Sequence, residues 1–260
     1  MSQVVFECTA LVGTNKTGNL TPDADGYYEL VIGGLGTLNS AGAYYDLVES
    51  SKIFADSSSF IRRVNDGVLC AELDHPKQES NWSLRQFMAR LMEIRQDRIC
   101  AHFKKIWLDD TKIKDEQGKP FCAIIALVKP YGPYKQMLED ALRNNAQNVC
   151  FSIRSFTEDA NIGGRVVKKI REAVTFDCVL EPGIRKAKKW YSPALEAFSN
   201  AINVTQDLLS NIVSDRQQLG FGHEDSLTAS VEAINNSIDW ASVSKIQAVD
   251  TTNIPHSLKW

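Results

Sequence analysis

The sequence predicts an α+β fold, a β-rich unit with a few covering helices followed by a helical remainder. Three observations predict it. Short β-forming runs, broken by Gly, Asn, Asp and Pro, recur through the first two thirds of the chain. Residues 83–94 carry an apolar stripe at spacings of three and four among those runs. After Pro182 the pattern turns helical, with an interruption at Gly220-Phe221-Gly222 and an irregular tail from Asp250. The chain thus divides into residues 1–187 and a helical C-terminal appendage, residues 188–260.

Taken in order, residues 4–12 predict a first strand and residues 13–26, rich in Gly, Asn, Thr and Asp, a loop. Residues 27–32 predict a second strand closed by Gly33-Gly34, and Asn39-Ser40-Ala41-Gly42 a turn. A short helix fits residues 46–54. Residues 60–64 and 68–73 predict a strand pair around Asn65-Asp66-Gly67, since Asp-Gly between β-forming runs is a strong hairpin signal. His75 precedes Pro76, which favours extended backbone at the end of a strand.

Ser83 with Gln86 forms a capping box that starts a helix whose stripe is Leu84, Phe87, Met88 and Leu91. Residues 99–108 and 121–128 predict strands, the second stopped by Pro130-Tyr131-Gly132-Pro133. A helix over 134–142 follows, with Asn144-Asn145 as its left-handed stop. Residues 149–155 predict a buried strand, Gly163-Gly164 a break, and residues 166–167 and 174–180 further strand. Ser192-Pro193 is an N-cap and first-turn pair, with helical spacing to about residue 213 and again over 226–238.

Composition narrows the function classes. The 260 residues are 43% hydrophobic and 23% charged with a net charge of −3, so no overall basic field draws the chain to nucleic acid. The basic run at residues 185–189 is short and suits a solvated domain exit. Six cysteines occur singly, without a C-x-x-C pair, as expected for reduced structural thiols of a cytosolic protein. No signal peptide, membrane-spanning run, metal-ligand spacing or phosphate-cradling glycine motif is evident, and no cofactor is expected.

Three side chains point to chemistry. Strand alternation puts Cys150, Ser152 and Arg154 on one face and Phe151, Ile153 and Ser155 on the other, so Ser152 lies on the polar side beside a cation. His75 can take a proton from a hydroxyl, although its neighbours Glu72 and Asp74 also fit a solvated acidic turn. Asp177 interrupts the apolar run 174–180, where a carboxylate needs a partner: an imidazole, or one of Lys168, Lys169 and Arg171. Ser, His and Asp are the makings of nucleophilic hydrolysis.

The blocks Glu72-Leu73-Asp74-His75-Pro76 and Phe151-Ser152-Ile153-Arg154-Ser155 resemble those of the prohead core proteases of tailed phages, notably the T4-like group. Asp25-Gly26-Tyr27-Tyr28, Lys105-Ile106-Trp107-Leu108, Gly118-Lys119-Pro120, Lys129-Pro130-Tyr131-Gly132-Pro133 and Phe176-Asp177-Cys178-Val179 resemble the same family in the same order, over roughly residues 4–187. The resemblance implies a mostly antiparallel, β-barrel-like core flanked by helices, like herpesvirus assemblin. It implies Ser152 as nucleophile, His75 as base and Asp177 as third member, with Arg154 and Arg165 polarising an oxyanion water. The chain departs from the commoner Ser-Ser-Arg-Gly form at Ile153 and Ser155, which leaves Ser155 as a second position for the nucleophile; Cys150 offers a thiol on the face of Ser152.

The implied activity is serine endopeptidase cleavage of scaffolding, core and major capsid proteins, and of the protease itself, inside the viral prohead in the host cytoplasm. No membrane or nucleic-acid partner is implied, and the helical appendage suits self-association or trimming. Family specificity for Glu would place self-cleavage candidates at Leu47-Val48-Glu49, Leu91-Met92-Glu93 and Ile170-Arg171-Glu172. A non-catalytic prohead core protein with the same fold is the alternative.

Overall fold

The computed structural model describes residues 2–9, 20–39, 42–111, 121–144, 147–179, 202–220, 222 and 226–240, the first segment by its backbone alone. In chain order the strands and α-helices are β1 (Ser2–Thr9), β2 (Tyr28–Leu35), β3 (Tyr44–Tyr45), α1 (Leu47–Ser50), α2 (Ser59–Asn65), β4 (Cys70–Glu72), α3 (Leu84–Met92), β5 (Ile99–Asp109), β6 (Cys122–Pro130), α4 (Lys135–Arg143), β7 (Cys150–Ile162), β8 (Arg165–Val179), β9 (Ile202–Asn203), α5 (Gln206–Gln218) and α6 (Ser226–Ser237). Gly118-Lys119-Pro120, the basic run at 185–189 and Ser192-Pro193 lie outside the described residues.

The fold is α+β. The strands form two sheets, ordered β3-β8-β7-β1-β9 and β2-β6-β5-β4, and every pairing between named strands is antiparallel except β3 with β8. They do not close into the barrel that the resemblance implies. The seam where closure would occur lies between β4 and β8, and it holds a single parallel bridge, Leu73 to Cys178. β4 is only three residues long, and the backbone turns away at Asp74, whose φ is +63°, just before Pro76. A strand broken so soon cannot run a ladder along β8.

The long β7–β8 hairpin organises the first sheet. Its two-residue turn, Gly163-Gly164, has φ of +61° and +78°, as a type I′ turn requires. β8 is one continuous strand over the two runs that the sequence separates, with a register shift opposite Arg154 and Ser155. Phe151 and Ile153 on β7 and Phe176 on β8 point into the core between the sheets, where they meet Phe60, Phe103, Ile124 and Val128. Phe103 stacks edge-on against both Phe151 and Phe176, with centroids at 6.0 and 6.4 Å.

The predicted strand at 60–64 is helix α2. Phe60, Ile61 and Val64 are buried at helical spacing, and Ser58 Oγ caps the Ile61 N–H. Asp-Gly ends this helix instead of turning a hairpin: Gly67 N–H donates to Val64 O and Val68 N–H to Arg63 O, a Schellman stop with Gly67 at φ +70°. The Ser83–Gln86 capping box forms as predicted and starts α3; Phe87, Met88 and Leu91 are buried while Leu84 is half exposed. Asn144 caps α4 in extended, not left-handed, geometry. The second strand runs through Gly33-Gly34 by way of an irregularity between Val31 and Gly33.

The other face of the first sheet is covered by helices. Phe156 and Val174 pack there with Phe87, Met88 and Leu91 of α3, Leu209 and Ile212 of α5, and Val231 and Ile234 of α6. The face of Ser152 and Arg154, polar in the sequence, is therefore roofed rather than solvated.

Gly132 is fixed by close approach. Its φ is +82°, and a Cβ would lie 2.7 Å from both the carbonyl oxygen and Cγ2 of Ile99. Gly132→Ala is expected to cost about 2–4 kcal/mol, from left-handed strain plus displacement of the β5 backbone, read as a lower midpoint in urea unfolding.

Candidate active site

The site is built where the end of β4 meets the start of β7 and the end of β8. Ser152 and Asp177 are direct partners in the antiparallel ladder, so their side chains share a face. Arg154, two residues on, shares it as well. Beyond Glu72 the chain bridges to β8 through Leu73, and the Asp74 N–H donates to Cys178 O at 2.8 Å. Asp74 is the one non-glycine residue with positive φ among the described residues, a conformation that Asp tolerates better than most. Its carboxylate accepts from the His75 N–H at 2.8 Å. Burial alone would push the Asp74 pKa up, but bonds from Lys77 and from the His75 N–H outweigh it and hold the carboxyl below its ordinary range.

This turn aims His75 at β8. His75 Nδ1 lies 2.9 Å from Asp177 Oδ2. An ionised carboxylate only accepts, so Nδ1 carries the proton and Nε2 is the basic nitrogen. The imidazole is 24% exposed while Asp177 is fully buried, so the ring reaches solvent and the carboxylate does not.

Asp177 is also gripped by Arg154, with Nη2 donating to Oδ1 at 3.0 Å and Nε 2.8 Å from Oδ2. Arg154 Nη1 donates to Leu91 O at 3.0 Å and Glu93 O at 2.9 Å, both at the end of α3. Its Nη2 lies 3.6 Å from Glu72 Oε2. Glu72 is buried and takes a two-pronged bond from Arg90, at 3.1 and 2.6 Å, and the Arg95 N–H at 2.5 Å. Two acids and two guanidiniums thus form a buried, charge-balanced network behind the imidazole.

Ser152 is 1% exposed, and its Oγ has no hydrogen-bond partner among the described residues. Ser152 and His75 share the neighbourhood of Asp177 but are not bonded to each other. Such contacts are often loose until substrate binds. A groove of about 990 Å³ opens beside the network, with Cys70, Met92, Glu93, Ile94, His102 and Tyr131 in its lining.

The structure brings Ser152, His75, Asp177 and Arg154 together and leaves Arg165 out. Arg165 is exposed beside the Gly163-Gly164 turn, twelve residues along β8 from Asp177, which is about 40 Å of strand. It cannot reach an oxyanion at Ser152. Arg154 is present but committed to Asp177 and two carbonyls, so it holds the acid and does not polarise a water. Ser155 lies past the register shift, fully buried, on the opposite strand face. Cys150 is buried, and burial pushes its thiol up to about 12, which leaves little thiolate at neutral pH. The alternative partners of Asp177 are engaged elsewhere: Lys168 with Asp159, Lys169 and Arg171 with Glu158.

Glu72 and Arg90 are the site residues that sequence reasoning missed. Glu72 was legible only as a turn acid. A signal for Arg90 existed: it lies three residues after Phe87, within the buried arc of α3.

A buried aspartate bonded to an imidazole, opposite a strand serine in the ladder, brings together the residue types that a serine peptidase uses. The family model of the peptidase S80 family matches residues 6–246. The chain is 39% identical over 245 residues to the capsid maturation protease of Pseudomonas phage phiKZ, covering 92% of this chain and 89% of that protein. Among solved structures it is similar to the bacteriophage T4 capsid assembly protease, gp21, with a TM-score of 0.44 and 13% identity, over 68% of this chain and 98% of that one. The chain belongs to the peptidase S80 family.

Proposed function

We propose that Ser152 is the nucleophile, His75 the general base and Asp177 the orienting acid of this peptidase. The observation that carries the assignment is Asp177, placed opposite Ser152 in the ladder and bonded to His75 Nδ1 at 2.9 Å. The protein is a capsid maturation protease, as its family and the phiKZ relative indicate. Its substrates in this reading are the scaffolding or core proteins and the major capsid protein of its own virus, cut inside the prohead. No helix among the described residues is long and apolar enough to cross a membrane.

Ser152 Oγ attacks the peptide carbonyl as its proton passes to His75 Nε2. The imidazolium, stabilised by Asp177, then protonates the leaving amine, and water repeats the sequence to release the acyl group. Residues 188–260 form an appendage to the 1–187 protease unit in this reading, docked through α5 and α6 and available for self-association. Self-cleavage belongs to the same function. The three Glu candidates within the fold are poor sites: Ile170-Arg171-Glu172 lies in β8, Leu47-Val48-Glu49 in α1, and Arg154 binds the carbonyls of Leu91 and Glu93.

The test is co-expression with the capsid and scaffold proteins, comparing wild type, Ser152→Ala and Cys150→Ala by intact-mass spectrometry of every chain. Cleavage by wild type and Cys150→Ala, with none by Ser152→Ala, is the expected result. Cleavage that survives Ser152→Ala and fails in Cys150→Ala would move the nucleophile to the thiol. Silence in all three samples would favour a non-catalytic core protein.

A further inference from the structure

We propose that the buried Glu72–Arg90 pair is a positioning element that sets the proton affinity of His75, acting through Arg154 and Asp177. This inference rests on the assignment of His75 as base. Arg154 shares the two oxygens of Asp177 with His75, so the pull of Asp177 on an imidazolium is offset by the guanidinium charge. Glu72 lies 3.6 Å from that guanidinium and restores the balance, while Arg90 offsets Glu72 in turn. All four groups are nearly or wholly removed from water, with side-chain exposures of 0% for Arg154 and Asp177, 1% for Glu72 and 10% for Arg90. Their charges are therefore weakly screened.

The pair also ties geometry to charge. Glu72 holds the end of α3 by Arg90 and the Arg95 N–H, and that segment supplies the carbonyls of Leu91 and Glu93 that fix Arg154. Other charged or titratable groups near this network among the described residues are Asp74 and Lys77 on the loop of His75, Cys178 on β8 with Cys100 of β5 against it, Cys150 on β7, Arg98, which donates to Leu73 O, and Arg63 on α2, which Glu172 balances. The Cys150 thiol is neutral near pH 7 and Arg98 is a fixed cation. The Asp74–Lys77 pair is partly exposed and balanced.

Removing one partner leaves the other's charge behind, so the two single variants act in opposite directions. Glu72→Gln leaves an excess cation, which disfavours the imidazolium and lowers the proton affinity of His75. Arg90→Gln leaves an excess anion, which raises it. At separations of this kind each shift is expected to be about one pH unit, tenfold in proton affinity. A salt bridge that merely stabilised the fold would weaken both variants alike and move neither titration in this pattern.

The measurement is histidine NMR titration of the full chain on a Ser152→Ala background, together with the acid limb of the kcat/KM profile for each variant carrying Ser152, using the virus's purified scaffold protein as substrate. The acid limb should move to lower pH in Glu72→Gln and to higher pH in Arg90→Gln, with the His75 resonance following. Arg90→Lys should return both toward wild type. Shifts of the same sign, or none, overturn the proposal. Should Glu72→Gln not fold, Arg90→Gln against Arg90→Lys still decides the sign. Cleavage that persists in His75→Ala would instead overturn the assignment of the base, whereas the NMR titration reads the coupling independently of activity.

Discussion

Ser152→Ala is expected to abolish cleavage and to make the protein slightly more stable. Loss of a triad serine costs about 10⁶-fold in kcat. Most substitutions at a buried site destabilise, but this one removes a hydroxyl that is 1% exposed and without a hydrogen-bond partner among the described residues. A buried unsatisfied polar atom costs about 1–3 kcal/mol, and alanine removes it while leaving a gap of a single atom. The expected gain is about 1 kcal/mol, read by chemical unfolding beside the cleavage assay. Inactivity with lowered stability would show that the hydroxyl has a structural partner, and retained cleavage would remove Ser152 from the mechanism.

Asp177→Asn should be inactive for a different reason and should lose stability. The amide can donate to His75 Nδ1, which favours the wrong tautomer; neutralising the acid of a triad in this way costs about 10⁴-fold in kcat. It also strips Arg154 of its carboxylate partner in a site where both side chains have no exposure. Breaking a buried ion pair from one side costs about 3–5 kcal/mol. Ser152→Ala and Asp177→Asn should therefore be told apart by opposite shifts in unfolding midpoint, although neither cleaves. Asp177→Asn with wild-type stability would mean that Arg154 is satisfied by Glu72 and the α3 carbonyls alone.

The sequence by itself determined the elements whose signals are local. The capping box at Ser83 and Gln86, the period-two face of β7 and the break at Gly163-Gly164 depend on residues within a few positions of one another, and they form where read, the break as a hairpin turn. Asp177 was legible because a lone carboxylate in an apolar run demands a partner. Local signals failed where one motif serves two structures: Asp66-Gly67 stops a helix as readily as it turns a hairpin, and the helical spacing of Phe60, Ile61 and Val64 decided the outcome.

Only the tertiary structure decided what Asp177 pairs with. Arg154 and His75 reach it from positions 23 and 102 residues away in sequence, in preference to the nearby cations of β8. It also decided that the polar face of β7 lies under α3, α5 and α6, which converts Glu72 from a turn acid into a buried charge and recruits Arg90 to balance it. Burial depends on what packs above a residue, and the chemistry of an ionisable group depends on burial.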